Sequence, residues 1–543
     1  MSAFQKDCNE RLLRSLSICN KSGMPEHLKA LIVILVLATT VFAFAHQPAC
    51  AIAKVGDYTR RRNLWFAFTL AAFLSYNFWL YTLIAIPLLI YANRRETNPP
   101  ALFFFILFVL PVATVPIPGM GLINFFFELS HVRILELLVL LPTFFVLIRQ
   151  RSAFRFGRTW PDVLLAAYIL LTTLLYIRDA SVTATLRGGF YLFIDVFLPY
   201  FVISRSLKTL QDFRVALLSF VLATMVAALI AVFETLKHWL LYNSLLGVLG
   251  LSEQYSKYLS RGGTLRAVAT AGQAIPLGYL MATGLGLYLF LQRSIRHKLI
   301  RRLGMALLAA GLIAPLSRGP WLGAVVLLTV FTITGRNAIP RLAGLAAAAV
   351  LALSLIAALP GGEKVINILP FLGASEQGSI SYREKLLTNS IIVIKRNPWF
   401  GSINFLDTPE MQALRQGEGI IDTVNTYVRV ALETGLVGLG LFVSFFGLIL
   451  WHIYRAIRSI RDRNSDERLL GRALFATLFA ILVIIFTVSS ITIIPIVYWS
   501  VAGLGVAYAE MVRKQTRTAG TVRAHSPKKN SGFFPKRAPK TQS

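Results

Sequence analysis

Phe213-Arg-Val-Ala-Leu-Leu-Ser-Phe-Val-Leu-Ala-Thr-Met-Val-Ala-Ala-Leu-Ile-Ala-Val-Phe233 is an apolar run whose single charge, Arg214, sits at its edge. As a helix rising 1.5 Å per residue, a run of this length reaches across roughly 30 Å of bilayer hydrocarbon. Residues 28–45, 162–177, 338–359 and 427–454 repeat the pattern. Lipid cannot satisfy exposed backbone groups, and the alternation of a barrel strand is missing from these runs, so the spans are helical. The whole chain agrees: its 543 residues are 56% hydrophobic and 15% charged, with a mean hydropathy of +0.64. That composition is not one of an ordinary soluble domain. The expected fold class is all-α, a polytopic transmembrane helix bundle.

A net charge of +30 invites a nucleic-acid partner, since basic patches bind phosphate backbones. The positions argue against one. Lys and Arg gather in short loops and in the tail, the pattern that orients membrane helices. With residues 1–27 in the cytoplasm and strict alternation thereafter, residues 28–511 form one multi-pass membrane domain of about 12–14 spans. Residues 512–543 follow as a basic, disordered cytoplasmic tail beside anionic membrane lipids. Arg94/Arg95, Arg149 to Arg158, Arg205 to Arg214, Arg293 to Arg302, Arg336/Arg341 and Arg455 to Arg472 then all fall inside. Only Arg60-Arg-Arg62 falls outside, because residues 64–92 are read as one tilted span. Splitting that span at Ser75-Tyr-Asn77 would change the parity of the early topology. The first apolar run has no small-residue cleavage site and is read as a retained span. Cys8, Cys19 and Cys50 have no paired spacing, so neither a disulfide framework nor a metal site is expected.

Two extracytoplasmic loops stand out, residues 237–269 and the larger 360–426 between late spans. Loops beyond roughly 15 residues in a compact bundle are functional or disordered. The second holds an amphipathic run at residues 366–372 and a helix, residues 382–394, stopped by Asn397-Pro398. Arg318 sits in Pro315-Leu-Ser-Arg-Gly-Pro-Trp-Leu322, an outer turn between two spans. Its guanidinium either forks onto a phosphate or diphosphate or snorkels to the interface. Arg383 of the large loop and Arg266 of the smaller one are further candidates, with solvated loop arginines as the plain alternative. Asp422 and Asn425 precede the span near Tyr427, as helix caps or, for the carboxylate, as a base for an acceptor hydroxyl. Glu433 lies four residues after Arg429 as an ion-pair partner. Within the spans, Arg133 and Glu136 are spaced to neutralise each other, and Glu234 and Asp195 carry further charge. Asp195 has no local partner and is the residue a proton-coupled transporter would use.

Ser317-Arg318-Gly319-Pro-Trp321, the loop Arg383, Asn397-Pro-Trp-Phe-Gly401, Asn425-Thr-Tyr427 and Glu433-Thr-Gly-Leu-Val-Gly438 follow one another in the order of a known pattern. Over about residues 300–455 the chain resembles the O-antigen ligase and polysaccharide polymerase superfamily of bacterial inner-membrane glycosyltransferases. The resemblance implies transfer of a glycan, outside the membrane, from undecaprenyl diphosphate to an acceptor hydroxyl, with inversion at the sugar carbon and without nucleotide, metal or other cofactor. It implies that Arg318 and Arg383 hold and stabilise the leaving diphosphate, while Arg266, Asn425 and Tyr427 bind substrate. It also implies a lipid-linked glycan donor and a glycan acceptor as partners, alongside chain-length regulator and flippase proteins.

Ligases of this superfamily carry His just before Asn-x-Tyr, where this chain has Val424, and Asp422 is the nearest substitute carboxylate. The departure favours a polymerase that joins lipid-linked repeat units into a surface polysaccharide or exopolysaccharide. A ligase acting on lipid A core or protein is the alternative within the same chemistry. A transporter or flippase of lipid-linked sugars is the alternative from another class, and it would rest on Asp195 and leave the long loop dispensable.

Overall fold

The apolar runs fold as helices throughout the computed structural model, which describes residues 23–121, 123–150, 155–251, 258–261, 263–358, 377–415 and 421–524. Residues 1–22, the amphipathic run 366–372 and the end of the basic tail lie outside the described residues. In chain order the helices are α1 Glu26–Ile52, α2 Val55–Leu74, α3 Phe78–Arg94, α4 Pro99–Ile106, α5 His131–Arg149, α6 Trp160–Asp179, α7 Val182–Ser206 and α8 Leu210–Lys237. After the short α9 Asn243–Val248 come α10 Ala274–Leu291, α11 Lys298–Ile313, α12 Arg318–Ile333 and α13 Ala338–Ala358. The last five are α14 Gln377–Arg396, α15 Pro409–Gln412, α16 Thr426–Ser459, α17 Asp466–Ile485 and α18 Ile494–Ala524. Two small antiparallel hairpins, Thr114–Pro118 with Phe125–Ser130 and Ser260–Arg261 with Thr264–Leu265, are the only strands among the described residues. The chain is an all-α polytopic bundle in which nine described helices are long and apolar enough to cross a membrane.

Lipid offers no hydrophobic drive for helices to associate, so close packing and internal hydrogen bonds must hold the bundle. Its centre is α8 and α10, 83% and 94% buried over their apolar windows, against 28% for α6 at the rim. Small residues on α10 let α8, α12 and α17 approach it closely, and Gly304 and Gly311 of α11 let that helix come up against Tyr288 and Met281 of α10. α16 packs between α6 and α18, where Phe446 stacks on Trp499 at 5.3 Å.

Residues 64–92 are not one tilted span. Ser75 is extended, Asn77 caps the next helix by accepting from the Leu80 amide at 2.8 Å, and α2 and α3 form a hairpin. The reason is local: three polar residues interrupt the run, and an Asn side chain is there to replace the lost backbone partner. The consequence is global. Arg61 meets Glu96 at 2.7 Å with both side chains buried, and Asn98 donates to the Asp212 carbonyl at 3.0 Å. Gln211 donates to Ile52 O at 2.6 Å, and Arg293 pairs with Asp466 at 3.1 Å. Arg60 to Arg62 therefore share the face of Arg214, Arg293 and Asp466, and the one dissenting basic cluster joins the rest. On the opposite face, Trp239 donates to Glu26 at 3.1 Å, and the Phe78 amide donates to Leu249 O at 3.2 Å. Glu26 thus sits on the face of loop 237–269, which corrects the alternation expected to begin with residue 28 on the basic face.

The intramembrane charges are paired differently from the sequence expectation. Arg133 does not neutralise Glu136 alone: it forks onto Asp195, 62 residues away, at 2.9 and 3.2 Å, and its guanidinium lies 3.9 Å from the Tyr191 ring centroid. The two carboxylates lie in π-helical turns, Glu136–Leu140 and Leu192–Phe197, each followed within two residues by a proline, Pro142 or Pro199. A proline lacks the amide that would continue the regular ladder, and a widened turn accommodates the loss. Glu234 is fully buried and accepts from the backbone amides of Leu241, Val268 and Ala269 at 3.1, 3.0 and 2.8 Å. It works as a clamp on the loop that follows α8.

Candidate active site

The opposite, loop-bearing face carries a small subdomain with its own core. Leu386 and Val393 of α14, Met411 of α15, Phe405, Leu414 and Leu432 bury against one another, with Tyr382, Val424 and Val428 packed at the edge. This explains why residues 377–415 and 421–432 hold a shape beside the membrane bundle: apolar positions spaced seven apart on α14 give it one buried face. Arg396 at the end of α14 ties to Glu410 at 3.0 Å. Hydrogen bonds from the Glu410 backbone amide and from Arg396 hold that carboxyl below the usual range.

The subdomain is docked by backbone. At Gly435 the helix α16 breaks, with φ 68° and ψ −170°. The freed amides of Leu436 and Val437 donate to Pro398 O and Trp399 O at 2.8 and 3.2 Å, and Leu432 O accepts from the Ser402 amide at 2.9 Å. A helix interior leaves no such groups free, so the kink is what creates the dock. Gly401, at φ 55°, completes the approach. Cβ atoms added at the two glycines would lie 2.4 Å from Leu432 O and 2.2 Å from Trp399 O. Asn397-Pro-Trp-Phe-Gly401 and Glu433-Thr-Gly435, read from sequence as two motifs, are the two halves of one joint. The end of α6 braces it, with Arg178 donating to Gly401 O at 2.7 Å and Asp179 accepting from the Ile403 amide at 3.1 Å. Glu433 pairs with Arg429 at 2.8 Å, as its spacing predicts.

The entrance to α16 holds Asp422, Asn425 and Tyr427. Asn425 is the N-cap, accepting from the amides of Tyr427 and Val428 at 2.9 and 3.3 Å. The Tyr427 hydroxyl donates to Leu482 O at 3.0 Å. Both therefore have structural partners. Asp422 is half-buried; one carboxylate oxygen accepts from the Val424 amide at 3.1 Å and from the Ser489 hydroxyl. Tyr382 of α14 grips the same residue, its hydroxyl donating to Asp422 O at 2.9 Å and accepting from the Asp422 amide at 3.2 Å.

Val424 has φ 46°, in the left-handed region where a β-branched residue is rare. The turn imposed by the Asp422 carboxylate holds it there. Val424→Asn is expected to stabilise the folded protein by about 1 kcal/mol, because Asn tolerates that conformation. Thermal unfolding of the purified variant checks this, and an unchanged or lower Tm would show that the apolar contacts of Val424 outweigh the strain.

The arginine-bearing turn is built from the preceding loop. Arg266 donates to Pro315 O at 3.0 Å and to the Ser317 hydroxyl at 3.1 Å, and Arg261 donates to Leu316 O at 2.7 Å, with Leu316 at φ 48°. Arg266 is thus joined to the Arg318 turn as a positioning group. Arg318 opens α12, half-buried, with Ser317 as N-cap. Arg383 is exposed on α14, next in sequence to Tyr382.

Residues 487–490, between α17 and α18, link the two halves. Gly319 rests on this segment, where an added Cβ would lie 2.5 Å from the Thr487 hydroxyl and 3.4 Å from Val488. From the other side, the Thr426 amide and hydroxyl donate to Val488 O at 3.2 and 2.9 Å, and Ser489 bonds Asp422. Sequence reading missed these residues. Their signal is the polar Thr487-Val-Ser-Ser490 in an otherwise apolar stretch. The result is a half-buried guanidinium and a hydrogen-bonded carboxylate on opposite flanks of one short loop, at the water-facing end of a helix bundle.

That arrangement belongs to a polytopic membrane protein in which a guanidinium and a carboxylate are gathered around one loop at the end of the helix bundle. Residues 303–443 match the family described as O-antigen ligase, a segment running from α11 through the Arg318 turn and the docked subdomain into α16. The match agrees with the resemblance carried by the motifs and supports an enzyme that transfers lipid-linked glycan. No curated protein compared with the chain matches it.

Proposed function

We propose that this protein is a polymerase of a surface polysaccharide or exopolysaccharide, joining undecaprenyl-diphosphate-linked repeat units on the periplasmic face of a bacterial inner membrane. The observation that carries the reading is Asp422, held between Tyr382 and Ser489 with Val424 beside it in place of a histidine. The loop face is then periplasmic and the basic face cytoplasmic, as positive loop charges favour. The acceptor hydroxyl of one unit attacks the anomeric carbon of another while its proton passes to Asp422. The bond from that carbon to the diphosphate oxygen breaks, the configuration inverts, and undecaprenyl diphosphate leaves. Arg318 and Arg383 balance the growing charge on the leaving group, so the scheme calls for no metal ion or nucleotide. Arg266 shapes the turn, and Asn425 and Tyr427 set the helix entrance against the glycan.

A ligase uses the same donor and differs in acceptor. A transporter reading gains little support, because Asp195 is occupied by Arg133. The test incubates purified protein in detergent with lipid-linked repeat units and sizes the products. A ladder of multimers supports the polymerase. Transfer only to added lipid A core would replace it with a ligase, and flipping without transfer in proteoliposomes would overturn the enzyme reading. Asp422→Asn is expected to slow chain extension by about 10²- to 10⁴-fold, the usual worth of a positioned base. Unaltered extension would remove Asp422 from the mechanism.

A further inference from the structure

The turn that enters the kink of α16 carries two aromatic side chains that the joint itself does not use. Trp399 and Phe400 are 64% and 48% exposed. Pro398 O and Trp399 O accept from the amides of Leu436 and Val437, so the aromatics adjoin two more exposed apolar residues. Charge rims this patch: Arg429 and Glu433 pair just before the kink, and Arg178 reaches Gly401 O from the end of α6. An apolar patch with a polar rim marks a surface that a protein or a membrane covers. Beyond the kink the patch continues along α16. Leu436, Gly440, Val443, Gly447 and Trp451 are exposed at helical spacing, on a span only 33% buried over its apolar window. That stripe is the lipid-facing side of a helix at the rim of the bundle.

Two helices measure the depth of the patch. Arg455, near the end of α16 that leads to Asp466 on the basic face, lies 19 residues after Leu436, which is about 28 Å along a helix. α6, which braces the joint, runs 20 residues from Trp160, beside Arg158, to Asp179, which is about 30 Å. The hydrocarbon core is about 30 Å thick. With the basic ends at one interface, both helices bring the Trp399 turn to the other. We propose that Trp399 and Phe400 are a membrane anchor, seated at the headgroup level of the loop-side leaflet, and that the covering partner is the phospholipid bilayer. An indole has an apolar body and a polar N–H, which suits a level where one side is hydrocarbon and the other water. The outer subdomain is then held on two sides, by the broken ladder of α16 and by the bilayer. Lipid around the aromatics also keeps water from the backbone bonds of the joint, which strengthens them. None of this depends on the reaction proposed above.

The test places a fluorescent label on the full-length protein, with Cys8, Cys19 and Cys50 each changed to Ser, and reconstitutes it in phosphatidylcholine vesicles. Trp399→Cys and Phe400→Cys carry the label in the patch. Val443→Cys marks the lipid-facing stripe deeper in α16, and Ala413→Cys, exposed between the charged Glu410 and Arg415, marks the aqueous surface. Quenching is read with aqueous iodide and with phosphatidylcholine bearing a nitroxide near the top or near the end of its acyl chain. Labels at the two patch positions lose most of their emission to the shallow nitroxide, less to the deep one and little to iodide. At Val443→Cys the deep nitroxide gains on the shallow one, and at Ala413→Cys only iodide quenches. Patch labels reached by iodide as readily as the one at Ala413→Cys, and untouched by nitroxide lipid, would overturn the anchor. If soluble oligosaccharide then protected those labels from iodide, the turn would be a glycan-stacking platform instead. Should Trp399→Cys fail to fold, Phe400→Cys gives the same reading, since the two residues are adjacent in one turn.

Discussion

Arg318→Ala is expected to lower the initial rate of glycan transfer by about 10²- to 10³-fold, the loss seen when a preorganised donor to developing charge is removed. The physical case rests on how the side chain is presented. It opens α12 on a turn fixed by two other arginines, Arg266 through Pro315 and Ser317 and Arg261 through Leu316. Fixed donors pay no reorganisation when charge develops, and half-burial strengthens each interaction relative to water. The charge on the diphosphate grows only as the bond breaks, so the loss should fall on kcat more than on KM. Arg318→Lys should recover part of the rate, because lysine keeps the charge without the bidentate fork. Assay of equal amounts of folded protein in detergent checks both variants, and near-normal kcat for Arg318→Ala would assign the residue to interface anchoring.

Gly435→Ala should undock the outer subdomain, at a cost of about 3 kcal/mol or more from backbone strain and overpacking together. The conformation at φ 68° and ψ −170° is essentially reserved for glycine, and a Cβ would fall 2.2 Å from Trp399 O. Relief requires moving the 397–401 turn away, which breaks the three backbone hydrogen bonds across the joint. Limited proteolysis should then cleave around residues 396–404 at protease levels that leave the wild type intact, and product formation should fall with it. Gly440→Ala is the control, in the same helix with open space around it. It should be neutral or stabilise by about 0.5–1 kcal/mol, since alanine is the better helix residue. Equal protease resistance in Gly435→Ala and wild type would show that the subdomain is held by its side chains and not by the kink.

These two residues also show how differently parts of the site can be read. Arg318 and Asp422 were visible because charge is rare in so apolar a chain, and polar residues between spans can be found by scanning. Gly401 and Gly435 were visible as letters of a pattern, but their reason, one backbone entering the broken ladder of another, is a contact across 34 residues. Thr487 to Ser490 carried only a faint polar signal and proved to be the segment on which both halves of the site rest. Asp195 looked unpartnered because its partner, Arg133, lies 62 positions away in sequence.

By itself the sequence determined the bundle, the basic face and the order of the motifs. Each of these follows from local sums of hydropathy and charge, which lipid and the membrane potential read segment by segment. Tertiary structure alone decided the split at Ser75 to Asn77, the face on which Glu26 lies, the pairing of buried charges and the joining of the arginine turn to the Asp422 entrance. Those depend on which distant groups satisfy one another, and a buried donor or acceptor has no preference for neighbours in sequence over neighbours in space.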